Sequence, residues 1–226
     1  MSDIEVVQLP AAQQIPGIMS ELQQAADTLK NIGWGVSVFG SARLHPESPW
    51  YKVTETLGQR LAQAGLTVIA GGGPGIMEAA NKGAYEAGGH SVGLNIKLPR
   101  EAAHNQYQTH SLHFDYFYSR KATFFMHSAA YIALPGGFGT LDELFEVLTL
   151  VQTRKLPKAP IVLIGTTFWA GLFEWMKSEL LANRLIGPND LDLMLLTDNL
   201  DEVMACVTNF CKNHPEVKDF APALPR

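Results

Sequence analysis

The chain has 226 residues, 46% of them hydrophobic and 17% charged, which is enough for one good core and fits a single domain over 1–226. A formal net charge of -5 argues against a nucleic-acid backbone as main partner, because such binders carry a basic excess or patch. No apolar run is long enough to span a membrane, and residues 1–14 hold acidic groups without the apolar core of a signal peptide, so a cytoplasmic protein is expected.

Helical spacing at Leu22, Ala25, Ala26 and Leu29 predicts a leading helix over 18–32, the body of an N-terminal extension over 1–33. An apolar run predicts a strand over 34–39, then a helix over 50–64, a strand over 66–70 and a helix over 75–87. Strands over 91–96 and 110–114 precede a helix over 116–128. Strand 131–134, helix 141–151, strand 161–164 and helix 168–181 follow, with a weaker strand at 193–196 and a helix over 200–212. Residues 213–226 carry three prolines and read as an extended tail. Strands alternating with helices of this length imply βαβ units, and nearly continuous apolar strands suit a parallel sheet covered on both faces. The cysteines, Cys206 and Cys211, stand at a spacing that fits neither a metal site nor a redox motif and read as reduced.

Three glycine-bearing turns each follow a strand directly: Gly40-Ser41-Ala42-Arg43, Gly71-Gly72-Gly73-Pro74-Gly75, and Pro135-Gly136-Gly137-Phe138-Gly139-Thr140. In an open parallel sheet all three fall on one edge, where ligands collect. The third leads into a helix, and backbone N–H groups opening a helix suit a phosphate. Asp142 and Glu143 follow it within the first helical turn, an awkward neighbourhood for a pure phosphate cradle. Thr140-x-x-Glu143 also has the spacing of a capping box, in which Glu143 would reach back to the backbone.

Familiar nucleotide motifs fail. Gly75 is followed by Ile76-Met77-Glu78 rather than Gly-Lys-Ser/Thr, and a dinucleotide fingerprint begun at Gly71 or Gly73 meets Ile76 or Glu78 at its third glycine. Neither a G-x-S-x-G elbow nor an H-E-x-x-H pair exists, and His110 and His113 fall on opposite faces of a strand, so no metal and no cofactor is expected. Arg120 and Lys121 sit among aromatic residues, and a partly buried Arg calls for an anion partner; Glu143 is the expected neighbour.

Four of these motifs, in this order, resemble the Lonely Guy (LOG) family over residues 34–207. Pro135 to Glu143 fits its P-G-G-x-G-T-x-x-E motif, Gly71 to Met77 its G-G-G-x-x-G-[LI]-M turn, Arg120-Lys121 its R-K pair, and Gly40-Ser41 its first turn. The N-terminal helix and Tyr116-Phe117-Tyr118 resemble a longer bacterial subgroup. The resemblance implies a Rossmann-like, doubly wound, mostly parallel sheet with helices on both faces, and a homodimer or higher homo-oligomer. It also implies hydrolysis of nucleoside 5′-monophosphates, cytokinin ribosides or AMP, to free base and ribose 5-phosphate. By motif, Arg120 and Glu143 are the catalytic pair, while Gly136, Gly137, Gly139 and Thr140 cradle the phosphate. Gly40, Ser41, Gly73, Gly75 and Lys121 line the substrate, joined by Glu101, in a segment like the family's M-P-R-E, and by Thr149. Members have carried the label lysine decarboxylase, which would need a Schiff-base lysine; Lys121 is already committed to the R-K pair.

Such a site accounts for the mixed charges. Glycosidic cleavage builds positive charge on the ribose while the 5′-phosphate stays anionic, so a helix N-terminus holds one end and a carboxylate stabilises the other or activates water. Arg120 would orient Glu143 and keep it ionised. The alternative is a non-catalytic nucleotide-binding protein resembling a molybdenum-cofactor carrier, which the presence of both Arg120 and Glu143 disfavours.

Overall fold

A computed structural model describes residues 10–98 and 104–215. Its strands are β1 (Gly35–Phe39), β2 (Thr67–Ala70), β3 (Ser91–Ile96), β4 (His110–Phe114), β5 (Ala130–Ala133), β6 (Ile161–Leu163) and β7 (Met194–Leu196). They form one seven-stranded sheet in the order β4-β3-β2-β1-β5-β6-β7, with every pairing parallel. Ser37 in the centre stands opposite Ile69 on one side and Tyr131 on the other.

Parallel strands need crossovers, and the helices supply them on both faces. Strand side chains alternate between those faces. Val36, Val38, Val68, Ala70 and Ile132 pack against Leu57 and Leu61 of α2 (Pro49–Gln63), Ile76 and Ala80 of α3 (Ile76–Glu86), and Val203 and Val207 of α7 (Leu200–Asn213). Phe39, Ile69, Leu94, Tyr131 and Leu163 face the other core, which holds Leu29 of α1 (Ala11–Leu29) and Phe124 of α4 (Phe117–Met126). Leu144 and Val147 of α5 (Phe138–Gln152) and Trp169 of α6 (Thr166–Trp175) complete it. The fold is thus α/β, doubly wound and Rossmann-like, as the sequence implied.

Helix ends follow local chemistry. Pro49 opens α2 at a position where its missing N–H is not needed. Asn199 caps α7 by accepting from the Asp201 N–H at 2.9 Å, and Lys212 lies in its last turn. Helix α1 begins at Ala11 rather than residue 18 and runs through Pro16 and Gly17, where the missing side chain lets α1 press on the Tyr116 ring. The helix expected over 168–181 is α6 continued by a π-helical turn, Met176–Leu181. Asn213 closes α7 instead of opening a tail, and 216–226 lie outside the described residues.

From β1 the chain winds outward to β4, then returns through α4 to β5 on the opposite side of β1. The crevice beyond the carboxyl ends of β1 and β5 is the topological switch point. The turns after β2, β1 and β5 are therefore direct neighbours.

Candidate active site

A cavity of about 670 Å³ opens at that crevice. Its wall includes Gly40 and Ser41 after β1, Gly71 after β2, Arg120 of α4, and Gly137, Gly139, Thr140 and Glu143 of the third turn and α5.

Helix α5 begins earlier than its apolar pattern predicts. Its N-cap is Gly137, in extended conformation, and the first intrahelical backbone bond runs from the Leu141 N–H to the Gly137 carbonyl at 3.0 Å. Gly137 has no side-chain acceptor, and no other side chain caps the helix. The amides at the start of α5 thus face the cavity wall formed by Gly137, Gly139 and Thr140. This overturns the capping-box reading: Thr140 is the third helical residue, and Glu143 does not reach back. Asp142 and Glu143 fall in the second turn, not the first.

Glu143 is 7% exposed, and its Oε2 is buried with no hydrogen-bond partner among the described residues. Burial is the largest influence on it and pushes the carboxyl up to about 7, while the charges of Arg120 and Lys121 pull the other way. Arg120 occupies the same wall but does not pair with it. The Arg120 Nε–H donates to the Leu94 carbonyl at 2.7 Å and Nη2 donates to the Gly71 carbonyl at 3.2 Å. The Phe124 ring lies 5.4 Å beneath the guanidinium. Among the described residues no hydrogen bond or ion pair joins Arg120 to Glu143, so the expected orienting contact is not formed. The Arg120 charge does favour the ionised carboxylate, as expected, but burial raises its pKa by more. Two backbone carbonyls orient the arginine, and desolvation outweighs its charge at the carboxylate. Burial lowers the guanidinium's own pKa and Glu143 raises it.

Other expected residues lie outside the wall. Lys121 Nζ pairs with Asp142 Oδ2 at 2.8 Å and with Glu146, bridging α4 to α5. Gly75 has φ of +69°, and a Cβ there would strike the Ser41 carbonyl, so this glycine holds two turns together. The Gly73 carbonyl accepts from Asn105 Nδ2 at 3.1 Å. A Cβ on Gly136 would meet Thr140. Thr149 is exposed and donates to the Phe145 carbonyl at 2.8 Å. Glu101 lies outside the described residues. Glu78 accepts from the Tyr51 hydroxyl at 2.8 Å, away from the wall.

Sequence reasoning missed the apolar rim. Phe117, Phe138 and Leu98 line the cavity and are 51%, 92% and 39% exposed, an exposure that large apolar side chains take up beside a ligand or partner. Phe138, flanked by glycines in a turn, was the legible signal. Arg43 adds a second cation to the wall and sat unassigned in the first turn.

A family model described as possible lysine decarboxylase matches residues 77–207. A cytokinin riboside 5′-monophosphate phosphoribohydrolase from Mycobacterium marinum is 31% identical over 180 residues, 76% of this chain and 93% of that protein. One from Arabidopsis thaliana is 33% identical over 185 residues, 80% of this chain and 85% of its own. Among solved structures, a Moco carrier protein from Chlamydomonas reinhardtii superposes with a TM-score of 0.59 at 22% identity, covering 80% of this chain and 99% of that one. At that identity the likeness concerns the fold. The family match over more than half the chain, joined to relatives at 31% and 33% identity along most of their own lengths, makes this protein a member of the LOG family.

Proposed function

We propose that the protein hydrolyses the N-glycosidic bond of a purine nucleoside 5′-monophosphate, of the cytokinin or adenosine type, releasing free base and ribose 5-phosphate. One observation carries the reading: a buried carboxylate, its Oε2 without a hydrogen-bond partner among the described residues, stands in the second turn of a helix with an uncapped N-terminus, in one cavity wall. The amides of α5 take the 5′-phosphate, and Glu143 faces the ribose. As the C1′–N bond breaks, its electron pair leaves with the base, which takes up a proton. Water adds to C1′ and gives its proton to Glu143, which returns it to solvent as the base takes one up from solvent, so that one water is consumed in all. The carboxylate stabilises the positive ring, and Arg120, fixed by two carbonyls, offers its remaining N–H groups to substrate oxygens.

The relatives named phosphoribohydrolases support this activity, whereas the family description names a decarboxylase. No lysine lines the cavity among the described residues, and Lys121 is held by two carboxylates. We also read the protein as a cytoplasmic homo-oligomer. No helix among the described residues is long and apolar enough to cross a membrane, and Cys206 and Cys211 are free thiols, which suits a reducing compartment. Incubation with AMP, an N6-alkenyl AMP and the matching nucleosides, followed by chromatography, tests the activity. Free base from the monophosphates, and little from the nucleosides, is expected. Tight nucleotide binding with no base released would replace hydrolysis with a carrier function.

A further inference from the structure

Helix α4 delivers Arg120 to the cavity, yet nothing within α4 caps its own start: the N-cap is Tyr116, and its side chain makes no capping bond. Support for this turn comes instead from the N-terminal helix. Glu21 of α1 accepts from the Asp115 backbone N–H through Oε1 at 2.8 Å, and from the Ser119 hydroxyl through Oε2. Ser119 is fully buried, and its single hydroxyl proton is shared between Glu21 and the Tyr116 carbonyl, 3.0 Å from the hydroxyl oxygen. One carboxylate thus ties the residue before the N-cap to the third residue of α4, and lies where the helix dipole favours a negative charge.

Arg120 is the next residue. Its own N–H makes the first intrahelical bond of α4, to Tyr116, at 3.3 Å. Contact between α1 and this turn is tight as well, since a Cβ on Gly17 would come within 2.7 Å of the Tyr116 ring. Helix α1 therefore grips the one turn whose placement decides whether the guanidinium reaches Leu94 and Gly71.

We propose that Glu21 is a positioning residue for Arg120, and that α1 is the brace that holds the arginine in the cavity. Glu21 does not line the cavity and acts through the first turn of α4. A guanidinium displaced by an ångström loses alignment with both carbonyls and with whatever it serves in the cavity, at a cost in rate of about tenfold or more. The catalytic part of this inference rests on the hydrolase reading; the structural part does not.

The test uses the full chain, as wild type, Glu21→Ala and Glu21→Gln. Solvent exchange of the Arg120 Nε–H, which donates to Leu94, is followed by nitrogen-15 NMR, with the signal assigned by its loss in Arg120→Lys. The buried Trp169 Nε1–H, bonded to the Ile164 carbonyl at 3.1 Å, is the internal control. Glu21→Ala is expected to speed Arg120 exchange about tenfold and leave Trp169 unchanged, with Glu21→Gln in between because it keeps one acceptor. Equal acceleration at both sites, or none at Arg120, would overturn the brace. Base release from AMP gives the second readout. Glu21→Ala should lower kcat about tenfold in the wild-type background and less than threefold in Arg120→Lys, a coupling that general destabilisation does not produce. Equal losses in the two backgrounds would count against the proposal. Wild-type protein that releases no base would reject the hydrolase reading while the exchange experiment still decides the brace.

Discussion

A carboxylate whose pKa sits near 7 changes charge where most enzymes work, and in this cavity the change is easy to follow. Glu143 is pushed up to about 7 mainly by burial, and only its ionised form stabilises a positive ribose or accepts a proton from water. The value of kcat/KM should therefore climb with pH through about 7, following a single proton. Glu143→Gln should bind AMP within about threefold of wild type and lose on the order of 10²–10⁴ in kcat, the range of a general base. Near-normal release of ribose 5-phosphate by that variant would remove Glu143 from the mechanism. Lys121 tunes the same group from outside the cavity. It neutralises Asp142 and Glu146, which flank Glu143 on α5 and raise its pKa, and its own charge lowers it. Lys121→Met should shift the rising limb to higher pH, so that activity lost at pH 7 returns at about pH 9. Loss by the same factor at every pH would make Lys121 a mere strut.

Among the elements, α5 shows most clearly how function and stability diverge. A helix that starts at glycines gives up a cap, and the uncapped amides become the anion site. Gly137 is extended, with open space where a Cβ would stand, so an aspartate fits without strain. Gly137→Asp should raise Tm by about one to three degrees through capping and the helix dipole, and raise KM for AMP at least about a hundredfold by placing a carboxylate where the phosphate binds. Thermal melts and steady-state kinetics on that variant check both halves; unchanged KM would move the phosphate elsewhere. The same helix marks the boundary of what the sequence reveals. Strands β1, β2, β3 and β5 were legible because residues such as Val36 and Phe39 are apolar on both faces, a pattern that only a doubly covered sheet produces. The glycine turns were legible because four glycines in five positions exceed what a turn requires. The start of α5 was not, because Thr140 and Glu143 imitate a cap whose true position is three residues earlier. Nor were the partners of Arg120, since the Leu94 and Gly71 carbonyls carry no side-chain signature. Glu21 lies 94 residues from Asp115, a separation that only the folded sheet brings together.

At the scale of the whole molecule, the site leaves a mark on the pH dependence of folding. An unfolded glutamate titrates near its ordinary value of 4.5 and the folded Glu143 near 7, so between these limits the folded state binds more protons than the unfolded one. Stability must then fall as pH rises across that window, by about 3 kcal/mol from this residue once both states are ionised. Asp198 acts in the opposite sense. Burial pushes its carboxyl up, but bonds from the Gly165 and Thr166 N–H groups and the Thr166 hydroxyl outweigh that and hold it below its ordinary value. Its contribution is present at neutral pH and fades in acid. Those bonds also fill the start of α6 with the protein's own carboxylate, whereas α5 keeps its amides for a ligand. Glu143→Gln removes the first effect and leaves the second. Its Tm should match wild type near pH 4 and exceed it by roughly 5 °C or more at pH 8.5, since 1 kcal/mol shifts a chain of this size by about 2–4 °C. Melting curves of the two proteins across that range measure the difference. A gap already present at pH 4 would point to better packing by the glutamine, whereas one that opens between about pH 4.5 and 7 would identify a carboxylate kept ionisable at a cost to the fold.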